Sequence, residues 1–256
     1  MDNKTRTYEI FDGPDGRLAR FASLSAYPNL VHALTPKGTW LLPPDLSVLE
    51  HSERCDALAQ NQGLSGAAWL SQVHGNRVIQ AREAGLLGEA DALVCDEPGL
   101  GIIVRGADCP LILATAHGAK GWAVGAAHAS WRGTVARVSE AMLEALLDLC
   151  QGEAASVTAA IAPSAGPCCY EVGEELREQA LDALGSSGES FFERRDGSLY
   201  FDLWAANRAQ MLAVGCRPEK VSVAAHCSMC RNEDFPSWRK EGKAAGRMAA
   251  LIGIHA

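Results

Sequence analysis

The chain has 256 residues, 48% of them hydrophobic and 21% charged. That is enough apolar content for a real core, and it excludes disorder as the main state. Its 23 Lys and Arg against 31 Asp and Glu leave a formal charge of −8. Such a balance argues against a protein that wraps nucleic acid, but local charge can still hold a small anionic substrate.

In chain order, residues 7–11 read as a short strand ended by the turn Gly13-Pro14-Asp15-Gly16. Residues 26–64 are loop-rich, with four prolines, and hold one helix around 46–60. Residues 67–70 and 77–81 are strand pieces flanking Gln72-Val73-His74-Gly75. Apolar runs at 101–104, 111–115 and 122–129 read as buried strands. Thr134 is a natural N-cap, and Val135, Val138, Met142, Leu146 and Leu149 follow at helical spacing. A strand at 157–162, helices at 172–184 and 203–214, and strands at 221–225 and 247–254 complete the reading. Gly185 and Gly215 are the two helix stops. This loose alternation predicts an α+β fold, with mixed β-sheets sandwiched by helices in one domain over residues 1–256.

No apolar run nears the roughly 18 residues needed to cross a bilayer. The opening MDNKTRTYEI lacks the apolar stretch of a secretion signal. Nine cysteines, an odd number, point to a reducing cytoplasm. The expected setting is therefore cytoplasmic, without membrane or nucleic-acid partners. Nothing in the sequence specifies an oligomeric state.

Three residues form a candidate metal set: His74, Cys109 and His128. Two imidazoles and a thiolate suit zinc, and three protein ligands leave a fourth position open. Their long spacing is weak evidence by itself. The plainer reading is a turn residue, a buried thiol and a core histidine, and the residues alone favour it. A metal-free reading makes Cys109 a nucleophile with His128 as its base, Asp108 as an orienting or proton-handling group, and Arg105 and Arg132 as the electropositive setting. Arg132, just before the helix expected at Thr134, is a candidate phosphate ligand. Trp131, Phe235 and Trp238 could stack on a purine or simply be core. Cys227-Ser228-Met229-Cys230 with Cys168-Cys169 suggests a four-thiolate site, but an adjacent Cys pair is poor geometry for a zinc ribbon. Ordinary loop or core thiols are the expected role. No P-loop or dinucleotide fingerprint is present.

A series of motifs carries a family resemblance. Gln72-Val73-His74-Gly75, Ala90-Asp91-Ala92-Leu93-Val94, Ala107-Asp108-Cys109-Pro110 and His128-Ala129-Ser130-Trp131-Arg132-Gly133 occur in order. Gly166-Pro167-Cys168-Cys169-Tyr170-Glu171-Val172-Gly173, Asp202-Leu203-Trp204-Ala205-Ala206-Asn207-Arg208, Ser237-Trp238-Arg239 and Gly246-Arg247 follow. Over roughly residues 65–254 the chain resembles the YfiH family, also called the laccase-domain or purine nucleoside phosphorylase family. The resemblance implies a cytosolic α+β sandwich related to Cys/His toxin deamidases. It implies zinc on His74, Cys109 and His128, reversing the plainer reading of those residues. It further implies phosphorolysis of adenosine, inosine, guanosine or methylthioadenosine, with adenosine deamination in some members and action on peptidoglycan precursors suggested for others. Purine nucleoside and phosphate are then the partners, and Asp108, Cys109 and Arg132 the candidate catalytic residues.

The family's older multicopper name fits the chemistry less well than zinc. A multicopper centre needs many histidines, and this chain has seven. The sequence also departs from the family pattern. The usual Thr-Arg-x-Gly-Gly-x-Ser cassette is here Leu34-Thr35-Pro36-Lys37-Gly38, with Lys37 the nearest stand-in for its Arg. Gly106, Ser130 and Ala245 replace the usual Thr, Gly and Thr near the site. A Lys is a point charge rather than a fork, so substrate range is what these changes affect most.

Overall fold

A computed structural model describes residues 7–13 and 15–256. Pro14 of the expected first turn lies outside the described residues, although its two flanking strands pair antiparallel as Tyr8–Gly13 with Gly16–Phe21.

Burial parity along the strands builds the fold. In Ala92–Cys95, Leu93 and Cys95 face one way while Ala92 and Val94 face the other. Leu111–Gly118 repeats this, with Leu111 and Leu113 in the first set and Ile112 and Ala114 in the second. Successive side chains alternate across a sheet, so apolar residues on both faces require cover on both faces. The inner set packs on Leu34, Ile102, Val104, Ala250 and Ile252 of another sheet. The outer set packs on Met142, Leu143 and Leu146 of the helix Val138–Cys150 and on Met211 of the helix Leu203–Val214.

The two sheets are mixed. One runs from edge to edge as Tyr8–Gly13, Gly16–Phe21, Leu30–Leu34, Met248–Ile254, Leu100–Gly106, Gly66–Ser71 and Gly85–Glu89. The other runs as Val221–Val223, Thr158–Ile161, Leu111–Gly118, Gly121–His128, Ala92–Cys95 and Val78–Gln80. The helix Val48–Asn61 covers the outer face of the first sheet with Cys55, Leu58 and Ala59. Its Ser47 and Glu50 form a reciprocal capping box. The result is helix, sheet, sheet, helix: the expected α+β sandwich of mixed sheets. No helix among the described residues is long and apolar enough to cross a membrane.

Two expectations need correction. Residues 26–64 are not all loop before the helix, because Leu30–Leu34 is an interior strand between Gly16–Phe21 and Met248–Ile254. All five of its residues are buried, and His32 accepts the Phe21 N–H at 2.8 Å. The helix expected to begin at Thr134 begins instead at Trp131, capped by Ser130, whose side chain accepts from the Gly133 N–H at 3.0 Å. Arg137 then adopts a left-handed φ of 63° and separates Trp131–Val135 from Val138–Cys150.

Leu113 is fully buried between the sheets. Leu113→Ala is expected to cost about 2–5 kcal/mol through lost burial and a residual cavity, read as a lowered urea midpoint.

Candidate active site

Strand direction gathers the site at one end of the sandwich. Gly66–Ser71 and Leu100–Gly106 run parallel and deliver Gln72 and Arg105 there. Met248–Ile254 runs antiparallel to the second and begins just after Arg247. In the other sheet, Gly121–His128 ends where Ala92–Cys95 and Leu111–Gly118 begin. His128 therefore comes beside Asp91 and Cys109, and His74 enters on the loop from the first sheet. His74, Cys109 and His128 border a cavity of about 440 Å³, also lined by Gln72, Arg105, Trp238 and Arg247.

The structure brings His74, Cys109 and His128 together, with one donor atom of each within 4.8 Å of the others. The two imidazoles meet edge-on, their centroids 5.0 Å apart at 81°. His128 is buried, Cys109 half-buried, and His74 reaches the surface. Two nitrogen donors and one sulfur, open on the cavity side, fit a metal with an exchangeable fourth position.

Asp91 organises this set, a role that sequence reasoning missed. It is fully buried. Its carboxylate accepts the backbone N–H groups of Val73, His74 and Gly75 at 3.1, 3.0 and 2.6 Å. It also accepts from His128 Nδ1 at 2.8 Å. Burial alone would raise the Asp91 carboxyl, but the bonds from His128 and Gly75 outweigh it and hold the group below its ordinary value. With Nδ1 committed, His128 Nε2 is left for a ligand. The one available signal was an acid inside an apolar run, Ala90-Asp91-Ala92-Leu93-Val94.

With no metal bound, the local electrostatics favour a charged His128, so a metal at Nε2 must displace that proton. Burial disfavours its imidazolium, yet the neighbouring Cys109 and Asp91 prevail and raise its pKa to about 9. Burial and the neighbouring His128 hold His74 below its ordinary value.

Asp108 has both carboxylate oxygens engaged. Ser228 Oγ donates to Oδ1 at 2.7 Å, and the Arg239 N–H donates to Oδ2 at 2.7 Å. It is buried, takes a left-handed φ of 78°, and is not among the residues lining the cavity. Arg132 lies over the Trp131 ring at 4.3 Å and lines an adjoining groove with Tyr170 and Arg239. Arg132 lies in the first turn of its helix rather than ahead of it, and the Thr134 N–H bonds to Ser130 O at 2.7 Å inside the helix. Thr134 Oγ1 instead accepts from Asn207. Lys37 is committed to Glu241 at 3.1 Å. Phe235 is fully buried, whereas Trp238 is 45% exposed and faces the cavity.

Arginines surround the site without acidic partners. Among the described residues, Arg105, Arg132, Arg239 and Arg247 make no ion pair with a carboxylate. Arg105 instead donates to Leu70 O at 3.1 Å, and Arg239 to Glu171 O at 3.0 Å.

Comparison with known proteins agrees with this architecture. Residues 46–255 match the family described as multi-copper polyphenol oxidoreductase laccase, and the chain belongs to this laccase-like YfiH family. A purine nucleoside phosphorylase of Deinococcus radiodurans is 34% identical over 242 residues, covering 89% of this chain and 91% of that protein. Adenosine deaminase RL5, from an unknown prokaryotic organism, is 35% identical over 181 residues, 69% of this chain and 66% of its own length. The crystal structure of Bacillus licheniformis hypothetical protein YfiH superposes with a TM-score of 0.83 at 20% identity, covering 96% of this chain and 98% of that one.

If Asp91 orients the ligand set, Asp91→Asn should weaken divalent-metal binding there by about 10- to 100-fold. Chelator competition on the folded variant measures this.

Proposed function

We propose that this chain is a zinc-dependent purine nucleoside phosphorylase acting on adenosine, inosine, guanosine or methylthioadenosine. The observation that carries this is four arginines without an ion-paired carboxylate: Arg105 and Arg247 line the cavity of His74, Cys109 and His128, and Arg132 and Arg239 line a second groove. In a chain of charge −8, guanidinium groups without acidic partners fit an anionic co-substrate. The phosphorylase-named relative supports the same reading.

In phosphorolysis, a phosphate oxygen forms a bond to the anomeric carbon as the carbon–nitrogen bond to the base breaks. The base leaves with that electron pair. Arg132, with Arg239 across the same groove, is assigned to phosphate. The exposed Trp238 ring, with the Arg247 guanidinium 5.3 Å from its centroid, offers a stacking surface for the purine. Asp108 enters as a positioning residue, because its two hydrogen bonds hold the loop that carries Cys109. Cys109 is read as a ligand. Zinc on His74, Cys109 and His128 would supply Lewis acidity at the cavity floor. The donor set argues against multicopper chemistry, since the metal-capable groups among the described residues contain two histidines in all.

The deaminase-named relative favours a second reading at the same site, removal of the adenosine amino group as ammonia. Phosphate dependence separates the two. Zinc-loaded protein is expected to release hypoxanthine from inosine only with phosphate, and Cys109→Ala to abolish release and metal together. Ammonia from adenosine without phosphate would move the assignment to the deaminase. Arg132→Ala should raise the KM for phosphate about 10- to 100-fold, the loss of a charge-assisted hydrogen bond. Arg132→Lys should recover only part of this, lacking the planar fork.

A further inference from the structure

Outside the active site, the fold assembles four thiols from two distant loops. Cys168 and Cys169 lie in a turn in which the N–H groups of Cys169 and Tyr170 both bond to Gly166 O, at 3.0 and 2.9 Å. Cys227 and Cys230 lie in a second turn, after the strand Val221–Val223. The loops are laced together by a bridge between Ser164 and Cys227 and by the Ser228 N–H on Ser164 O at 2.9 Å. All four sulfur atoms lie within 4.8 Å of one another. The sequence argument against a shared site was the adjacent pair, and the tight turn removes it by presenting both thiols to one point.

Three geometric facts point to one shared ligand. First, Cys230 Sγ is 3.6 Å from Cys168 Sγ and 3.3 Å from Cys169 Sγ. A tetrahedron of sulfurs around zinc at ~2.3 Å has edges of roughly 3.8 Å, whereas a disulfide requires ~2.05 Å. Second, Cys230 is near both members of the adjacent pair, so a disulfide to either strands the other. A common centre serves all four. Third, the Gly166 N–H donates to Cys227 Sγ at 3.3 Å, an amide–sulfur bond that favours thiolate. A side chain at Gly166 would collide with Trp204 at 2.6 Å and crowd the Cys227 Cβ at 3.1 Å, so glycine is what lets these loops meet.

We propose that Cys168, Cys169, Cys227 and Cys230 form a second, closed metal site that holds Zn²⁺ through four thiolates, separate from His74, Cys109 and His128. Binding releases four thiol protons to solvent and leaves a centre of net charge −2. Having no open position, the site is structural. Both loops also grip the active site, since the Ala165 N–H bonds to Asp108 O at 2.8 Å and Ser228 Oγ bonds to Asp108 Oδ1 at 2.7 Å. Metal at the four thiols therefore braces the residue before Cys109. The proposal does not rest on the phosphorylase reading.

The test is metal stoichiometry on protein purified anaerobically with zinc, by native mass spectrometry and elemental analysis. Wild type should carry two zinc ions per chain. Cys109→Ala should carry one, and loading that variant with Co²⁺ should give the intense thiolate-to-cobalt absorption of a tetrathiolate centre. Adding Cys168→Ser and Cys230→Ser should abolish both. Because Cys109→Ala keeps all four thiols, the proposal stands or falls even if the serine variants misfold. Cys109→Ala protein that is folded but free of zinc would overturn it. So would wild-type protein in which Cys230 is disulfide-linked to Cys168 or Cys169, shown by peptide mapping without reductant.

Discussion

A buried carboxylate is the constraint on which the site depends. Asp91 sits at zero exposure, where an uncompensated charge would cost several kcal/mol or be protonated. Four donors compensate it, three from the Val73–Gly75 backbone and one from His128. The loop belongs to the first sheet and His128 to the second, so one anion registers the two sheets against each other where they border the cavity. The strand register supplies the last element. Ala92 pairs with Ala127, and the His128 N–H donates to Asp91 O at 2.8 Å, which leaves the two side chains adjacent.

The charges around the cavity are distributed in a complementary way. Three acidic residues at the cavity end are spent on structure: Asp91 on the loop and His128, Asp108 on Ser228 and Arg239, and Glu241 on Lys37, Asn232 and Ser237. The arginines facing the cavity are left without them. Burial holds Arg105 below its ordinary value, and the nearby Arg247 presses in the same direction. Two guanidinium groups bordering one cavity repel each other, and an anion entering between them relieves that repulsion. The site is thus preorganised for negative charge by what its carboxylates are doing elsewhere.

Much of the sandwich was legible because its central strands are apolar on both faces. Leu100–Gly106, Leu111–Gly118 and Gly121–His128 stand out as short apolar runs, and Val48–Asn61 carries a complete cap. Leu30–Leu34 did not, because it has five residues, a histidine in the middle and prolines on either side. Its strand character comes from its partners. Ser130 and Thr134 are both good caps, but Ser130 takes the Gly133 N–H and starts the helix, which leaves Thr134 inside it. The His74, Cys109 and His128 set was visible through the order of its motifs, whereas Asp91 acquires its role from a cross-strand pairing. The four thiols could be grouped from the sequence but were set aside as ordinary thiols, since their meeting depends on two turns and a glycine.

His74 is what favours reading this set as a metal site over a nucleophilic cysteine. Cys109, His128 and Asp91 alone form a thiol, a base and an orienting acid, with the imidazolium favoured, which is all that a Cys/His hydrolase needs. Such chemistry has no use for a second imidazole 5.0 Å from the first. Yet the fold holds His74 there at a left-handed φ of 64°, a conformation costing about 1–3 kcal/mol for a non-glycine residue. The same Asp91 that orients His128 bonds the His74 N–H and the N–H on either side of it. One carboxylate thus sets the orientation of one imidazole and the backbone placement of the other, and the thiol completes the set from a third loop. A metal ligand set requires that all three converge, and a nucleophilic pair does not.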